Sequence, residues 1–133
     1  MIPEDSLLYE YSVLRYVPRV DREEFINIGL LLMCKRRKWL RGEIALLPQR
    51  LQAFDPRVNI DALRRQLQFF SRNDVPGKDL PVEERYRWLA SVKSAVIQTS
   101  PSHPGFIKTK EKDPDYEALL NEEFDRLFEE LVL

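Results

Sequence analysis

Two apolar stretches, YEYSVLRYVP (residues 9–18) and FINIGLLLMC (residues 25–34), decide the fold of this chain. Alternating side chains in the first predict a β-strand over about residues 7–17. The strand is expected to end at Pro18, because proline has no N–H to donate to a sheet. The second stretch predicts another strand, and the charged segment 19–24 between them is expected to be solvated.

The second strand is apolar on both faces, which is typical of a central strand. Strict alternation predicts one fully apolar face made of Ile26, Ile28, Leu30, Leu32 and Cys34. Phe25, Leu31 and Met33 make the opposite face largely apolar, with Asn27 and Gly29 among them. Gly29 leaves a gap in the side-chain layer, so we predict a bulge there or the close approach of a neighbouring ring.

Further strands and helices follow along the chain. Periodicity predicts a third strand over residues 39–47, a short helix over 48–54, a helix over 60–71 capped by Asn59, a loop over 73–79 and a helix over 81–96. It then predicts short strands over 97–100 and 106–109, separated by a rigid loop, and a last helix over 115–132. The pattern indicates a single α+β domain over residues 1–133, with an antiparallel sheet of three to four strands, beginning as a meander, packed with three to four helices.

The composition sets limits on compartment and class. Of the 133 residues, 44% are hydrophobic and 32% are charged, and no apolar run approaches the roughly 20 residues that span a bilayer. The N-terminal residues lack the basic and apolar regions of a signal peptide. The lone Cys34 has no partner for an internal disulfide. These features predict a cytoplasmic protein that does not enter the membrane.

The near-zero net charge of −1 hides an asymmetry. Residues 1–110 hold 19 basic and 13 acidic residues, a balance of +6, whereas residues 111–133 hold 2 basic and 9 acidic residues, a balance of −7. Either an acidic last helix docks on a mildly basic body, or the helix presents a charged surface to a partner.

Arg15, Glu24 and Asn27 form the sharpest polar set, because Arg15 and Asn27 stand at otherwise apolar positions. If the two strands pair as a hairpin, a guanidinium, a carboxylate and an amide could bind an anion or a small polar ligand. The alternative, which we favour, is a buried hydrogen-bonded ion pair that fixes the hairpin register, since an unpaired buried charge costs several kcal/mol.

The basic turn Lys35, Arg36, Arg37 and Lys38, followed by Trp39, is the candidate nucleic-acid site. Its cations could contact phosphates while the indole stacks on a base. A charged turn is more often simply solvated and discourages edge pairing. The near-zero net charge also disfavours nucleic-acid binding.

Catalytic signals are weak. His103 lies in a proline-rich loop without a triad or metal motif, and Cys34 at the end of an apolar strand is expected in the core. One histidine and one cysteine disfavour a zinc site, and no glycine-rich phosphate loop occurs. We therefore predict no catalytic residue, metal or cofactor, and an enzyme is the least favoured class.

The last helix is the other candidate surface. Leu120, Phe124, Leu127 and Leu131 line one face, and Tyr116, Leu119 and Phe128 widen it. If the widening residues were exposed, the helix could pair with its own copy as a homodimer or enter a partner's groove. Plain core packing is the favoured alternative.

Several of these residues also carry a family resemblance. Tyr11, RYVP (residues 15–18), Glu24 and NIG (residues 27–29), followed by an aliphatic run, resemble the bacterial domain of unknown function 3037 family. FDRLFEELV (residues 124–132) is similar to that family's ending. The resemblance spans about residues 7–132, with REE at residues 22–24 where the family often has a Gly-Glu pair.

The resemblance implies a role but no reaction. Such proteins resemble small bacterial accessory proteins, often encoded beside a kinase-like protein similar to HipA. It implies an accessory protein that acts by protein–protein interaction, with a HipA-like kinase as its partner. The alternatives are a small-ligand module using Arg15 and Asn27, or a nucleic-acid module using the basic turn over residues 35–38.

Overall fold

The computed structural model describes residues 6–68, 79–91 and 94–133. Its fold is α+β, as predicted. The strands are β1 (Ser6–Tyr16), β2 (Ile26–Cys34), β3 (Trp39–Ile44), β4 (Ile97–Thr99) and β5 (His103–Lys108). The helices are α1 (Pro48–Phe54), α2 (Ile60–Gln66), α3 (Val82–Ala90) and α4 (Tyr116–Leu131).

Within the described residues, five strands form one antiparallel sheet, in which β1 pairs with β2, β4 and β5. β1, β2 and β3 make the predicted meander, and β4 pairs with β1 in the order β3-β2-β1-β4. β5 also pairs with β1. β4 pairs with the Leu14–Tyr16 end of β1, and β5 pairs with the Ser6–Tyr11 end of β1. The sheet therefore has one strand more than the sequence predicted, because a long β1 accommodates two short strands along the same edge.

A β-bulge in β2 changes which side chains share a face. Leu14 pairs with Gly29 while Arg15 pairs with Asn27, so Ile28 is an extra residue. Ile26 and Ile28 pack on the α1–α3 side, whereas Leu30, Leu32 and Cys34 pack on the α4 side. The prediction of one continuous apolar face was therefore wrong, since the extra residue reverses the alternation. Of the two alternatives predicted at Gly29, the structure has a bulge, and its extra residue is the neighbouring Ile28.

Two hydrophobic cores lie on opposite faces of the sheet. One joins β1 and β2 to α1, α2 and α3, and it is built around Leu14, Leu31, Leu51, Leu63 and Tyr86. The other joins the same strands to α4 and contains Leu7, Val13, Leu30, Leu120 and Phe124. β2 is buried along almost its whole length because both cores use it.

Two predicted helices have different ends in the structure. Asn59 caps α2 as predicted, accepting a hydrogen bond from the N–H of Ala62. α2 ends at Gln66, with Leu67 as its C-cap, and so is shorter than predicted. Residues 69–71 of the predicted helix, and most of the predicted loop over 73–79, lie outside the described residues. α3 ends at Ala90 instead of residue 96, because Ser91 is extended and its hydroxyl donates to the Trp88 carbonyl.

The prediction of a loop between the two short strands, up to residue 105, is partly wrong. His103, Pro104 and Gly105 belong to β5, which begins three residues earlier than expected. Among the described residues, no helix combines the length and the apolar character that a membrane span requires.

Candidate interaction site

Arg15 and Asn27, two of the three predicted site residues, lie opposite each other across β1 and β2. The Asn27 side-chain amide donates to the Leu131 carbonyl at 2.9 Å, tying the hairpin to α4. Arg15 Nε and Asn27 Oδ1 are both buried without a hydrogen-bond partner. The bulge thus brings an unused donor and an unused acceptor to the same region of the sheet.

Glu24 does not join this pair. Its carboxylate forms an exposed ion pair with Arg22 at 2.7 Å. The guanidinium of Arg15 instead lies over the Phe25 ring, with Cζ 4.0 Å from the ring centroid. The predicted ion pair within this set is therefore absent, because the connecting segment turns Glu24 toward solvent.

The basic turn over residues 35–38 is exposed, as its charge predicts. Arg37 lies over the ring of Tyr116 at 4.0 Å. Trp39 is half-buried against the α4 core and lines a hollow of about 360 Å³. Asp113, Asp115 and Glu117 line the same hollow, and their carboxylates would repel phosphate. This environment argues against the stacking role expected of Trp39.

A cleft of about 410 Å³ opens on the α3 side of the sheet, at the end where β1 begins and β2 ends. α3 borders it through Glu83 and Arg87, which stand one helical turn apart. Apolar and charged side chains both line it. The cleft is formed by Leu8, Tyr9, Glu10, Met33, Lys35, Glu83, Arg87 and Pro104.

Charges of both signs face this cleft without compensating one another. Glu10, Lys35, Glu83 and Arg87 make no ion pair or side-chain hydrogen bond within the described part of the chain. Each can therefore form a charge-assisted hydrogen bond with an incoming group, at no cost in broken internal pairs.

A chain of hydroxyls holds α3 against the sheet beside the cleft. The Ser12 and Tyr86 hydroxyls are 2.6 Å apart in a buried contact, and the Tyr86 and Ser102 hydroxyls are 2.8 Å apart. Burial raises the pKa of Tyr86 from its ordinary value of 10.0, so the phenol keeps the proton that it donates within this chain. The chain joins β1, α3 and the β4–β5 connection, and so fixes the cleft wall.

Two exposed apolar side chains form what we call the apolar rim, Leu8 and Phe106. They are direct cross-strand partners, 45% and 54% exposed respectively. Leu8 also lines the cleft, so the apolar rim and the charged lining are continuous. The sequence did not reveal this site, because it placed Phe106 only in a brief strand with no neighbour assigned.

The remaining candidates are Cys34, His103 and the residues that widen the apolar face of α4. Cys34 is buried in the α4 core, and burial raises the pKa of its thiol. His103 is exposed in β5, its ring 5.3 Å from that of Tyr11. Tyr116 and Phe128 pack on the α4 core, and neither they nor Leu119 is exposed, so the widened face of α4 is largely used within the fold. Within the described ranges, no cluster of three or more histidine, cysteine or carboxylate residues could hold a metal ion.

The fold and the site define a class: an α+β domain whose antiparallel sheet carries a core on each face and a charged cleft at one end. Residues 11–132 match the family described as "Protein of unknown function (DUF3037)". The chain belongs to this family, which confirms the resemblance drawn from its sequence. No curated protein and no solved structure matches the chain.

Proposed function

We propose that this protein acts by binding another protein through the apolar rim and the adjoining cleft. The observation that carries the proposal is the exposed pair Leu8 and Phe106 at the border of a cleft with unpaired charges. Contiguous exposed apolar surface edged by polar groups is characteristic of protein interaction sites. An aromatic side chain at such a position is a common source of binding energy.

A kinase-like partner similar to HipA is the specific form of this proposal, and the family resemblance is its support. The role is that of a bacterial accessory protein in the cytoplasm. The unpaired Glu10, Lys35, Glu83 and Arg87 would select the partner by charge, since charges of both signs favour a surface of matching pattern.

The test is capture of a partner by the intact chain from its native host, with identification by mass spectrometry. Phe106→Ser is the informative variant, because it removes the exposed ring without opening a core. Val20→Ser is the matched control, because Val20 is 53% exposed and lies beyond the opposite end of β1. We expect wild type and Val20→Ser to retain the partner.

Phe106→Ser should weaken the purified complex by about 30-fold, which corresponds to about 2 kcal/mol for an aromatic hot spot. Circular dichroism melting should show both variants folded. Equal partner affinity for Phe106→Ser and wild type would contradict the proposed surface. A captured protein that is not kinase-like would contradict only the partner class.

A small polar ligand at Arg15 and Asn27 is the second candidate, favoured by their unpartnered Nε and Oδ1 atoms. A ligand there must accept from the guanidinium and donate to the amide oxygen. Asn27→Asp would make the acceptor charged and would also remove the donor to the Leu131 carbonyl, so circular dichroism must first show that the variant is folded. Native mass spectrometry that shows a bound small molecule in wild type, and its loss in Asn27→Asp, would support this candidate.

A further inference from the structure

β5 presents an open edge of the sheet. It pairs with β1 through Leu7–Ile107, Tyr9–Gly105 and the residues between and around them. No described strand lies along its other side. Each of its residues is exposed or half-buried. An open edge offers unpaired backbone N–H and C=O groups to any extended chain that approaches it.

The direction of those groups follows from the neighbouring hydrogen bonds. The Ser100 N–H donates to the Val13 carbonyl, and the Val13 N–H donates to Ser100 Oγ, both at 2.8 Å. Val13 therefore points its backbone groups toward the β4 and β5 edge. Backbone groups alternate along a strand, so Tyr9 and Tyr11 point the same way.

Gly105 and His103 are the partners of Tyr9 and Tyr11. Gly105 and His103 therefore direct their backbone groups toward β1. Pro104, Phe106 and Lys108 consequently direct theirs outward. Pro104 fits this arrangement, since proline is tolerated in a sheet where the absent N–H would have faced solvent. The outward donors of β5 are thus the N–H groups of Phe106 and Lys108.

The same edge is rich in unpaired positive charge. Lys108, Lys110 and Lys112 are exposed and make no ion pair within the described residues. Lys108 Nζ lies 6.0 Å from the centre of the Phe106 ring. Edge lysines and prolines often serve only to prevent edge pairing, but a purely protective edge would not display a half-exposed phenylalanine beside them.

A hollow of about 240 Å³ extends this basic edge beyond the end of β5. Arg36 and Lys112 line it together with Thr109 and one carboxylate, Glu111. Ser6 also lines it; this residue is 6% exposed, and its buried hydroxyl oxygen has no hydrogen-bond partner. An unsatisfied buried hydroxyl beside two cations is suited to an acceptor group from outside.

We propose that β5 receives an extended acidic segment of the partner protein as an added β-strand. The inference rests on the proposed function and specifies its geometry. Backbone hydrogen bonds form to Phe106 and Lys108, an apolar side chain of the segment packs on the apolar rim, and its carboxylates face the lysines. Strand addition of this kind derives affinity from main-chain bonds and specificity from alternate side chains.

The experiment uses fluorescein-labelled synthetic peptides with the wild-type chain. Phe106 and Lys108 share one face of β5, so the probe is an extended peptide with the repeat Val-Thr-Glu-Thr, which puts valine and glutamate on one face. Its charge-reversed counterpart carries lysine in place of glutamate. We expect the acidic peptide to raise fluorescence anisotropy in a saturable way and to bind at least about tenfold more tightly than the lysine peptide. Equal binding of the two peptides, or no saturable binding of the acidic peptide, would overturn the proposal.

Backbone pairing is tested by N-methylation, which leaves the protein unaltered. Methyl groups on alternate residues of the acidic peptide remove the N–H groups that point one way only. Methylation of one set of alternate residues should abolish binding, and methylation of the other set should leave binding unchanged. Similar binding of the two methylated peptides would show that no strand is added.

Phe106→Pro supplies the complementary change on the protein, because it removes an outward N–H without touching the pairing to β1. Phe106→Ala is its control, since it also loses the ring but keeps the N–H. We expect Phe106→Pro to bind the acidic peptide more weakly than Phe106→Ala. If both variants bind the peptide alike while the native partner is still captured, strand addition fails and the proposed function stands. If wild type captures no partner at all, the proposed function itself fails.

Discussion

At the residue scale, Gly105 is required by the ring of Tyr9. A Cβ at Gly105 would lie 2.3 Å from Tyr9 Cζ, far inside van der Waals contact. Tyr9 in β1 is the cross-strand partner of Gly105 in β5, and its ring lies over the glycine. The Tyr9 hydroxyl donates to Glu123 Oε2 at 2.9 Å. Burial, followed by the bond to Glu123, raises the pKa of Tyr9, so the phenol remains a donor. Gly105 thereby allows one tyrosine to join the edge strand to α4.

Gly105→Ala should destabilise the fold by about 1–3 kcal/mol, because the new methyl group displaces the ring and its hydrogen bond. The measurement is the free energy of unfolding from urea titration. Tyr9→Phe is the control; it loses only the hydroxyl and should cost about 0.5–1.5 kcal/mol. If Gly105→Ala is as stable as wild type, the ring does not hold this position.

Tyr16 offers a second test at this scale. Its hydroxyl donates to Asp55 Oδ2 at 2.6 Å, linking β1 to the end of α1. Burial first, and then the bond to the Asp55 carboxylate, raises the pKa of Tyr16 from its ordinary 10.0 to about 12. The folded state therefore keeps a proton that the unfolded chain loses above pH 10.

The stabilisation from Tyr16 should be intact below pH 10 and decline as the pH rises toward 12. We expect a loss on the order of 1–2 kcal/mol in the free energy of unfolding over that interval, measured relative to Tyr16→Phe. The chain has five tyrosines, so the difference between the near-ultraviolet titrations of wild type and Tyr16→Phe locates the pKa of Tyr16. Asp55→Asn, which removes the charge, should move the pKa back toward 10, and an unchanged pKa would refute the role of Asp55.

At the scale of elements, the bulge in β2 determines how the sheet serves two cores. Ile26 and Ile28 lie on the α1–α3 face before the register changes, and after it Leu30, Leu32 and Cys34 lie on the α4 face. Leu31 and Met33 alternate with them and pack on the α1–α3 face. Gly29 allows β3 to come close, since a Cβ there would lie 3.0 Å from the Glu43 carbonyl oxygen and 3.3 Å from Leu14 Cβ. The same bulge places Arg15 opposite Asn27.

Gly29→Ala should lower the free energy of unfolding by about 1–3 kcal/mol, because the nearest obstacle is a backbone carbonyl that cannot rotate away as a side chain can. Chemical denaturation measures this directly. A second variant, Gly29→Val, should be worse, since it adds two further methyl groups beside Ile44. Equal stability of either variant and wild type would mean that β3 does not approach as closely as the structure shows.

At the scale of the whole molecule, burial is deepest in β2 and decreases toward the open edge of the sheet at β5. β2 has a strand on each side and helices on each face, whereas β5 has β1 on one side and no described strand on the other. The apolar rim, the basic edge and most of the cleft lining lie at that less protected end. The most buried part of the fold thus supports the proposed interaction surface at its margin.

Hydrogen exchange should follow this gradient. We expect the amides of β2 to exchange near the rate set by global unfolding, and the outward amides of Phe106 and Lys108 to exchange far faster. Mass spectrometry of peptides spanning each strand resolves the order. Protection of β5 equal to that of β2 would indicate that another element covers the edge.

The sequence by itself determined much of this protein. Alternation in residues 9–18 and 25–34 predicted the hairpin, helical spacing predicted α4 with Leu120 and Phe124 inward, and short motifs identified the family. These features depend on local periodicity and on residues near one another in the chain. Pro18 and Asn59 likewise act on their immediate neighbours, so their effects could be predicted without the fold.

Only the tertiary structure decided which surfaces meet. The bulge at Ile28 reversed the side chains of β2, Glu24 turned to Arg22 rather than Arg15, and β5 joined β1 across almost a hundred residues of chain. Each outcome depends on packing between distant segments, because an antiparallel register and a bulge are selected by the cores they bury. The cleft and the apolar rim exist for the same reason, since their residues come from four separate elements and the turn that follows β2.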